Sequence, residues 1–305
     1  MKSYRYYAAG ISAFFIWGFF SFVLKPLSHY ASIDILFYRV FASVAILILS
    51  VLAFRRKQFL ASFHFVAGLE PVRKRRLIWQ IVAGGILLTA NWYFFIFVMN
   101  HISVKAASFA YLVCPILTAL LAALILKETL SFLQKMAISI SVVSCAILAA
   151  GSVSDLLFSV LVALSYAFYQ VAQPKYPEVD KVSVLMVQII CSALILVCFY
   201  PAAHGAVPSQ PIFYLLIITI AVLFTIIPLL LNLYALQGLK SSTTGILIYI
   251  NPLVGFLIAV IYYHERITWI QVAGYSLMLV SIITFNWEVI TRRPPLQELS
   301  PDRNV

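Results

Sequence analysis

Arg39 is the residue whose chemistry stands out first. It sits in the apolar stretch ILFYRVFASVAILIL (35–49), and an ionised side chain deep in hydrocarbon costs about 2.5–3.5 kcal/mol on insertion scales. A guanidinium there can grip a solute carboxylate through two parallel N–H···O bonds. Its ordinary alternatives are an ion pair with Asp34 or snorkelling to headgroups. Five residues of helix put Asp34 and Arg39 about 140° apart, so a direct pair is strained. Lys25 ends the first apolar run and Lys105 opens the fourth, both on the expected outer side. With Arg39 they form a candidate outer vestibule that attracts anions, the alternative being snorkelling of each. Asn91 and Trp92, with Gln188 and Asn251, are polar or amphipathic groups inside apolar runs, either gluing helices together or lining a cavity. Gln170 and Asn232 share that choice. Trp17, Tyr111, Tyr166 and Tyr249 are placed away from the run ends and are the aromatics expected to wall a cavity for an amphipathic solute. Pro115 and Pro252 fall within runs, where each removes a backbone donor and frees a carbonyl one turn earlier.

Other groups have plainer readings. His101 is a proton switch or simply solvated. Glu128 and Glu265 read as caps or as ion-pair partners of Lys127 and Arg266. No residues are spaced as a metal site, a phosphate loop or a nucleophile with its base, so neither a catalytic residue nor a cofactor is expected.

The elements that must hold these groups follow from composition. Of 305 residues, 63% are hydrophobic and 10% charged, far from the balance of a water-soluble domain. The four cysteines, Cys114, Cys145, Cys191 and Cys198, lie in apolar runs and read as packing. Ten runs approach the roughly 20 residues needed to span a bilayer: 6–24, 34–54, 77–100, 104–126, 131–151, 156–173, 181–200, 212–236, 242–263 and 268–289. Unpaired amides are so costly in lipid that these must be helices. The first is expected to be retained, and 291–305 to be a disordered tail. With ten spans and the N-terminus inside, 17 of the 21 Lys and Arg fall on the cytoplasmic side, which predicts cytoplasmic termini. It also reads the +11 charge as topogenic, with no nucleic-acid partner.

The halves repeat weakly. Pro115, Glu128 and Ser131–Gln134 recur 137 residues later as Pro252, Glu265 and Thr268–Gln271. At an offset of 149, Trp17 matches Tyr166 and Arg39 matches Gln188. Five spans is an odd number, so the second half is inverted relative to the first, an arrangement of secondary transporters with a midplane site. The expected units are 1–151 and 152–290.

The strings FFIWGFF (14–20), ANWYFFIFVMNH (90–101), SFAYLVCPILTALLAALILKETLS (108–131) and GILIYINPLVGFLIAVIYYHERIT (245–268) resemble EamA-type members of the drug/metabolite transporter superfamily, most of all its RarD-like branch. Lys105 departs from that pattern, in which an acidic residue is expected. The resemblance implies an all-α integral membrane protein of the inner membrane, with ten transmembrane helices in two inverted five-helix repeats around a central cavity. It also implies a small-molecule solute such as an amino acid or drug, moved outward. The sequence-level alternatives are a lipid-modifying enzyme using His264–Arg266 or Lys127–Glu128, and a non-transporting scaffold.

Overall fold

The computed structural model describes residues 2–101, 104–149, 153–173, 176, 178–203, 207–262 and 268–291, and every regular element among them is helical. The helices are α1 (Lys2–Gly18), α2 (Phe20–Leu24), α3 (Ser32–Ser50), α4 (Arg56–Ala67), α5 (Pro71–His101), α6 (Val104–Ile125), α7 (Phe132–Ala149), α8 (Val153–Ala172), α9 (Lys181–Ala203), α10 (Pro211–Ala221), α11 (Ile227–Gly238), α12 (Ser241–Leu247), α13 (Ile250–Ile261), α14 (Trp269–Phe285) and α15 (Trp287–Thr291). Among the described residues, five helical stretches are long and apolar enough to cross a membrane: Tyr4–Leu27, Ser32–Ala67, Pro71–Val98, Lys181–Tyr200 and Pro211–Gly238. Shorter apolar helices run through Ala110–Ile125, Phe132–Leu148, Ser159–Ala172 and Val272–Phe285. The boundary at 151/152, Glu265 with its neighbours His264 and Arg266, and nearly all of the tail lie outside the described residues.

Local chemistry explains the interruptions. Val51–Arg55 and Val222–Ile226 are π-helical, so α3 runs on into α4 and α10 into α11. The basic stretch after residue 54 is therefore helical over much of its length, where the sequence suggested only a connection. A turn at Ile248 and Tyr249 separates α12 from α13. At the end of α6, Lys127 takes a left-handed conformation (φ 53°) and Glu128 N donates to the Ala122 carbonyl at 3.2 Å, which satisfies an end carbonyl and caps the helix. The cap turns the Glu128 carboxylate onto the start of α12, where it accepts from Ser241 N (2.9 Å), Ser242 N (3.1 Å) and Ser242 Oγ (2.7 Å). Ser131 and Gln134 form a reciprocal capping box opening α7: Ser131 N donates to Gln134 Oε1 at 2.9 Å and Gln134 N to Ser131 Oγ at 3.4 Å.

The packing has an internal regularity. Helix α6 lies on α8, and α1 on α12 and α13; α5 lies on α8, and α1 on α11; α5 lies on α9, and α3 on α10. The remaining major pairs are α3 with α9, α6 with α12, and α7 with α14. Exchanging α1 with α8, α3 with α9, α5 with α10–α11, α6 with α12–α13, and α7 with α14 returns the same set. Close approach needs small residues. A methyl on Gly85 would lie 2.7 Å from the Gln188 carbonyl oxygen, and one on Gly245 2.7 Å from the Thr118 side chain.

Candidate functional site

Where these helices converge they leave a cavity of about 40 Å³. That is room for a few waters at roughly 10–15 Å³ each. Its wall is largely aromatic: Phe14, Trp17 and Phe20 from α1 and α2, Trp92 and Phe95 from α5, Tyr111 from α6, Tyr166 from α8, and Phe224 from the π-helical segment. Leu88, Leu229 and Ile248 complete the apolar part, and Arg39 and Asn91 are its polar side chains besides the phenols.

Prolines determine where backbone polarity meets this wall. Pro115, Pro228 and Pro252 each deprive the carbonyl four residues earlier of its helical donor, and those carbonyls belong to Tyr111, Phe224 and Ile248. All three residues line the cavity. Two of the carbonyls have visible replacements. Trp17 Nε1 donates to the Phe224 carbonyl at 2.8 Å, so the indole of α1 is bolted to the irregular segment before α11. Asn251 N donates to the Ile248 carbonyl at 3.0 Å, tightening the break between α12 and α13. The Trp17 ring also meets Tyr166 edge-on, centroids 6.1 Å apart. The two residues matched across the repeat thus touch at the cavity.

Arg39 is 5% exposed. Its guanidinium carbon lies 4.2 Å from the Trp92 ring centroid and 5.9 Å from that of Phe20. A buried cation over an aromatic face gains about 2 kcal/mol, but stacking leaves its in-plane N–H groups unused. Among the described residues no carboxylate lies within ion-pair distance of it, and Nε has no hydrogen-bond acceptor. The expected alternative pairing with Asp34 is therefore not made, although Asp34 is itself buried. Asn91 both lines the cavity and holds helices together: Nδ2 donates to the Val162 carbonyl (3.0 Å) and to Ser165 Oγ (3.2 Å) of α8.

Six of the residues picked from sequence therefore meet here: Trp17, Arg39, Asn91, Trp92, Tyr111 and Tyr166. Three others are not on the wall. Gln188, the match of Arg39, is fully buried between helices, with Nε2 donating to Gln173 Oε1 at 2.9 Å and Gly84 making room for its amide. Tyr249 follows Ile248 by about 100° of helical turn and so points away, into a cluster with Leu112, Ala137, Cys145 and Met278. Half-buried Asn251 serves through its backbone. Lys25 is exposed at the end of α2 and is not on the wall, while the side chains of Lys105 and His101 lie outside the described residues. Gln170 and Asn232 are neither solvated nor on the cavity wall. Their amides pair reciprocally, at 3.3 and 2.8 Å, between α8 and α11.

Sequence reasoning missed Phe14, Phe20, Phe95 and Phe224. Pro228 carried the signal for the last of these, since the rule applied to Pro115 and Pro252 leads from it directly to Phe224.

Comparison with known proteins agrees with this architecture. The sequence profile of the "EamA-like transporter family" matches residues 5–150 and 154–287. Similar curated proteins include an uncharacterized transporter, YojE, of Bacillus subtilis (27% identical, over 91% of this chain and 92% of the relative). Protein RarD of Streptomyces exfoliatus is 25% identical over 92% and 88% of the two chains. Protein RarD of Escherichia coli is 23% identical over 92% and 93%. One crystal structure superposes with a TM-score of 0.72 over 95% of this chain and 99% of that one, at 16% identity, which shows a shared fold.

Proposed function

Because the chain belongs to the EamA-like transporter family, we propose that it is a secondary carrier that exports a small organic solute by alternating access. It is read as an inner-membrane protein with both termini in the cytoplasm. The ten spans are α1–α2, α3, α5, α6, α7, α8, α9, α10–α11, α12–α13 and α14, and the two halves are inverted copies. The paired packing described above supports that symmetry, since each of the major contacts between the halves has its counterpart.

One observation carries the proposal: an aromatic cavity holding a buried cation, built from both matched segments, beside helices broken by prolines. Interrupted helices at a repeat interface are how membrane carriers expose backbone polarity to a solute. The repeat equivalents differ as alternating access requires. Arg39 faces the cavity while its match Gln188 is packed shut against Gln173. Inverted positions lie on opposite sides of the midplane, so this pattern supports a state narrowed around the centre and closed towards the cytoplasm. There, Arg55 Nη1 pairs with Asp180 Oδ1 at 2.9 Å, and Asp180 accepts from Ser183 N at 3.0 Å at the start of α9.

The solute pool is found by untargeted comparison of metabolites inside and outside cells with and without the protein. Flux is then measured in proteoliposomes. Trp17→Ala and Arg39→Ala are expected to lower flux of that solute at least about tenfold, a barrier of roughly 1.4 kcal/mol. Unchanged flux in both variants overturns the site, and absence of any solute flux overturns the carrier.

A further inference from the structure

We propose that the solute accepted by this cavity is a monoanionic carboxylate with an apolar body, held by Arg39, and neither a zwitterionic amino acid nor a cation. This rests on the carrier reading above and names its substrate class.

The charge inventory of the wall leads there. Among the described residues that line it, Arg39 is the cation and none is Asp or Glu. A buried charge is tolerated when paired and hydrogen-bonded, yet Arg39 has rings above and beside it and no carboxylate within reach among the described residues. Stacking on Trp92 covers a face of the guanidinium and leaves its edge to present paired donors, the geometry that a carboxylate fits. Tyr166, which lines the same cavity, has a buried hydroxyl without a partner among the described residues, a further donor for that carboxylate. The Asn91 amide nitrogen is already committed to α8.

An ammonium group meets the opposite situation. It would share a small apolar space with Arg39 and find no carboxylate among the described lining residues. The amino group of a zwitterion would meet the same repulsion. The aromatic remainder of the wall suits an uncharged apolar body. A single charge is preferred over two because the described lining residues offer a single cation.

The test uses the full-length protein in detergent at neutral pH, with a headgroup series on one body: 3-phenylpropionate, 3-phenylpropanamide, 3-phenylpropylamine and phenylalanine. Acetate and 3-methylbutanoate vary the body. Binding is read by calorimetry and by quenching of tryptophan fluorescence. An acid of the series is expected to bind at least about tenfold more tightly than the matched amide, amine or amino acid. Arg39→Gln should bring acid affinity down to that of the amide and leave the amide unchanged. Arg39→Lys, which keeps the charge and loses the fork, should fall between. The headgroup ranking on the unmodified protein and Arg39→Lys keep the test decisive should Arg39→Gln not fold. The proposal is overturned if the amide, amine or zwitterion binds as well as the acid, if Arg39→Gln leaves acid binding intact, or if no acid binds at millimolar concentration. Flux of a zwitterion or cation without acid binding would overturn this inference and leave the carrier standing, whereas absence of any solute flux would remove the carrier.

Discussion

The indole N–H of Trp17 and the missing N–H of Pro228 are two halves of one device. The proline leaves the Phe224 carbonyl without its helical donor, and the tryptophan of a distant helix takes it at 2.8 Å. Leaving a buried acceptor unmatched costs about 1–3 kcal/mol. Trp17→Phe should therefore destabilise the protein by that order in equilibrium unfolding in detergent. In a Pro228→Ala background, where residue 228 again supplies an N–H, the same substitution should cost less. Equal costs in both backgrounds would refute the coupling. Much of this site was readable in advance. A lone arginine in an apolar run demands explanation, and prolines within apolar runs mark where the backbone hydrogen bonding is interrupted. Gln188 and Tyr249 are off the wall for geometric reasons: one is packed against Gln173 between helices, and the other sits a single residue round from the wall. Pro228 has no matching proline in the first half, since 137 residues earlier stands Asn91.

Among elements, the contact of α5 with α9 depends on the absence of side chains. A methyl at Gly85 would lie 2.7 Å from the Gln188 carbonyl oxygen and 2.8 Å from Cys191 Cβ, whereas Gly255 has open space. Overpacking of this kind costs about 1–3 kcal/mol. Gly85→Ala should lower the melting temperature clearly and Gly255→Ala should not; equal melting temperatures would show that α5 and α9 do not approach so closely. Hydropathy revealed the helical runs because lipid permits almost nothing else. It could not reveal the π-helical segments at Val51–Arg55 and Val222–Ile226, whose register shift depends on tertiary partners. Nor could it reveal helix α4, whose basic, mixed sequence lacks the apolar signature of a span. The recurring Ser131–Gln134 pattern was visible as a repeat, and its capping role became clear only once both hydrogen bonds were placed.

For the whole molecule, symmetry and charge point the same way. On the proposed ten-span reading, the excess of Lys and Arg in alternate connections predicts both termini on the cytoplasmic face, so reporter fusions at either end should be active only as cytoplasmic reporters. Opposite signals from the two ends would break the ten-span scheme. The central claim is that the cavity around Arg39 is a passage opened first to one side and then to the other. Its most direct test is a single cysteine at Phe95, on the cavity wall, in a chain whose four native cysteines have been replaced. In sealed vesicles of defined orientation, a membrane-impermeant thiol reagent should modify Phe95→Cys when added from either side, and the transported solute should slow both reactions. Labelling from neither side, or labelling that the solute does not affect, would contradict the account.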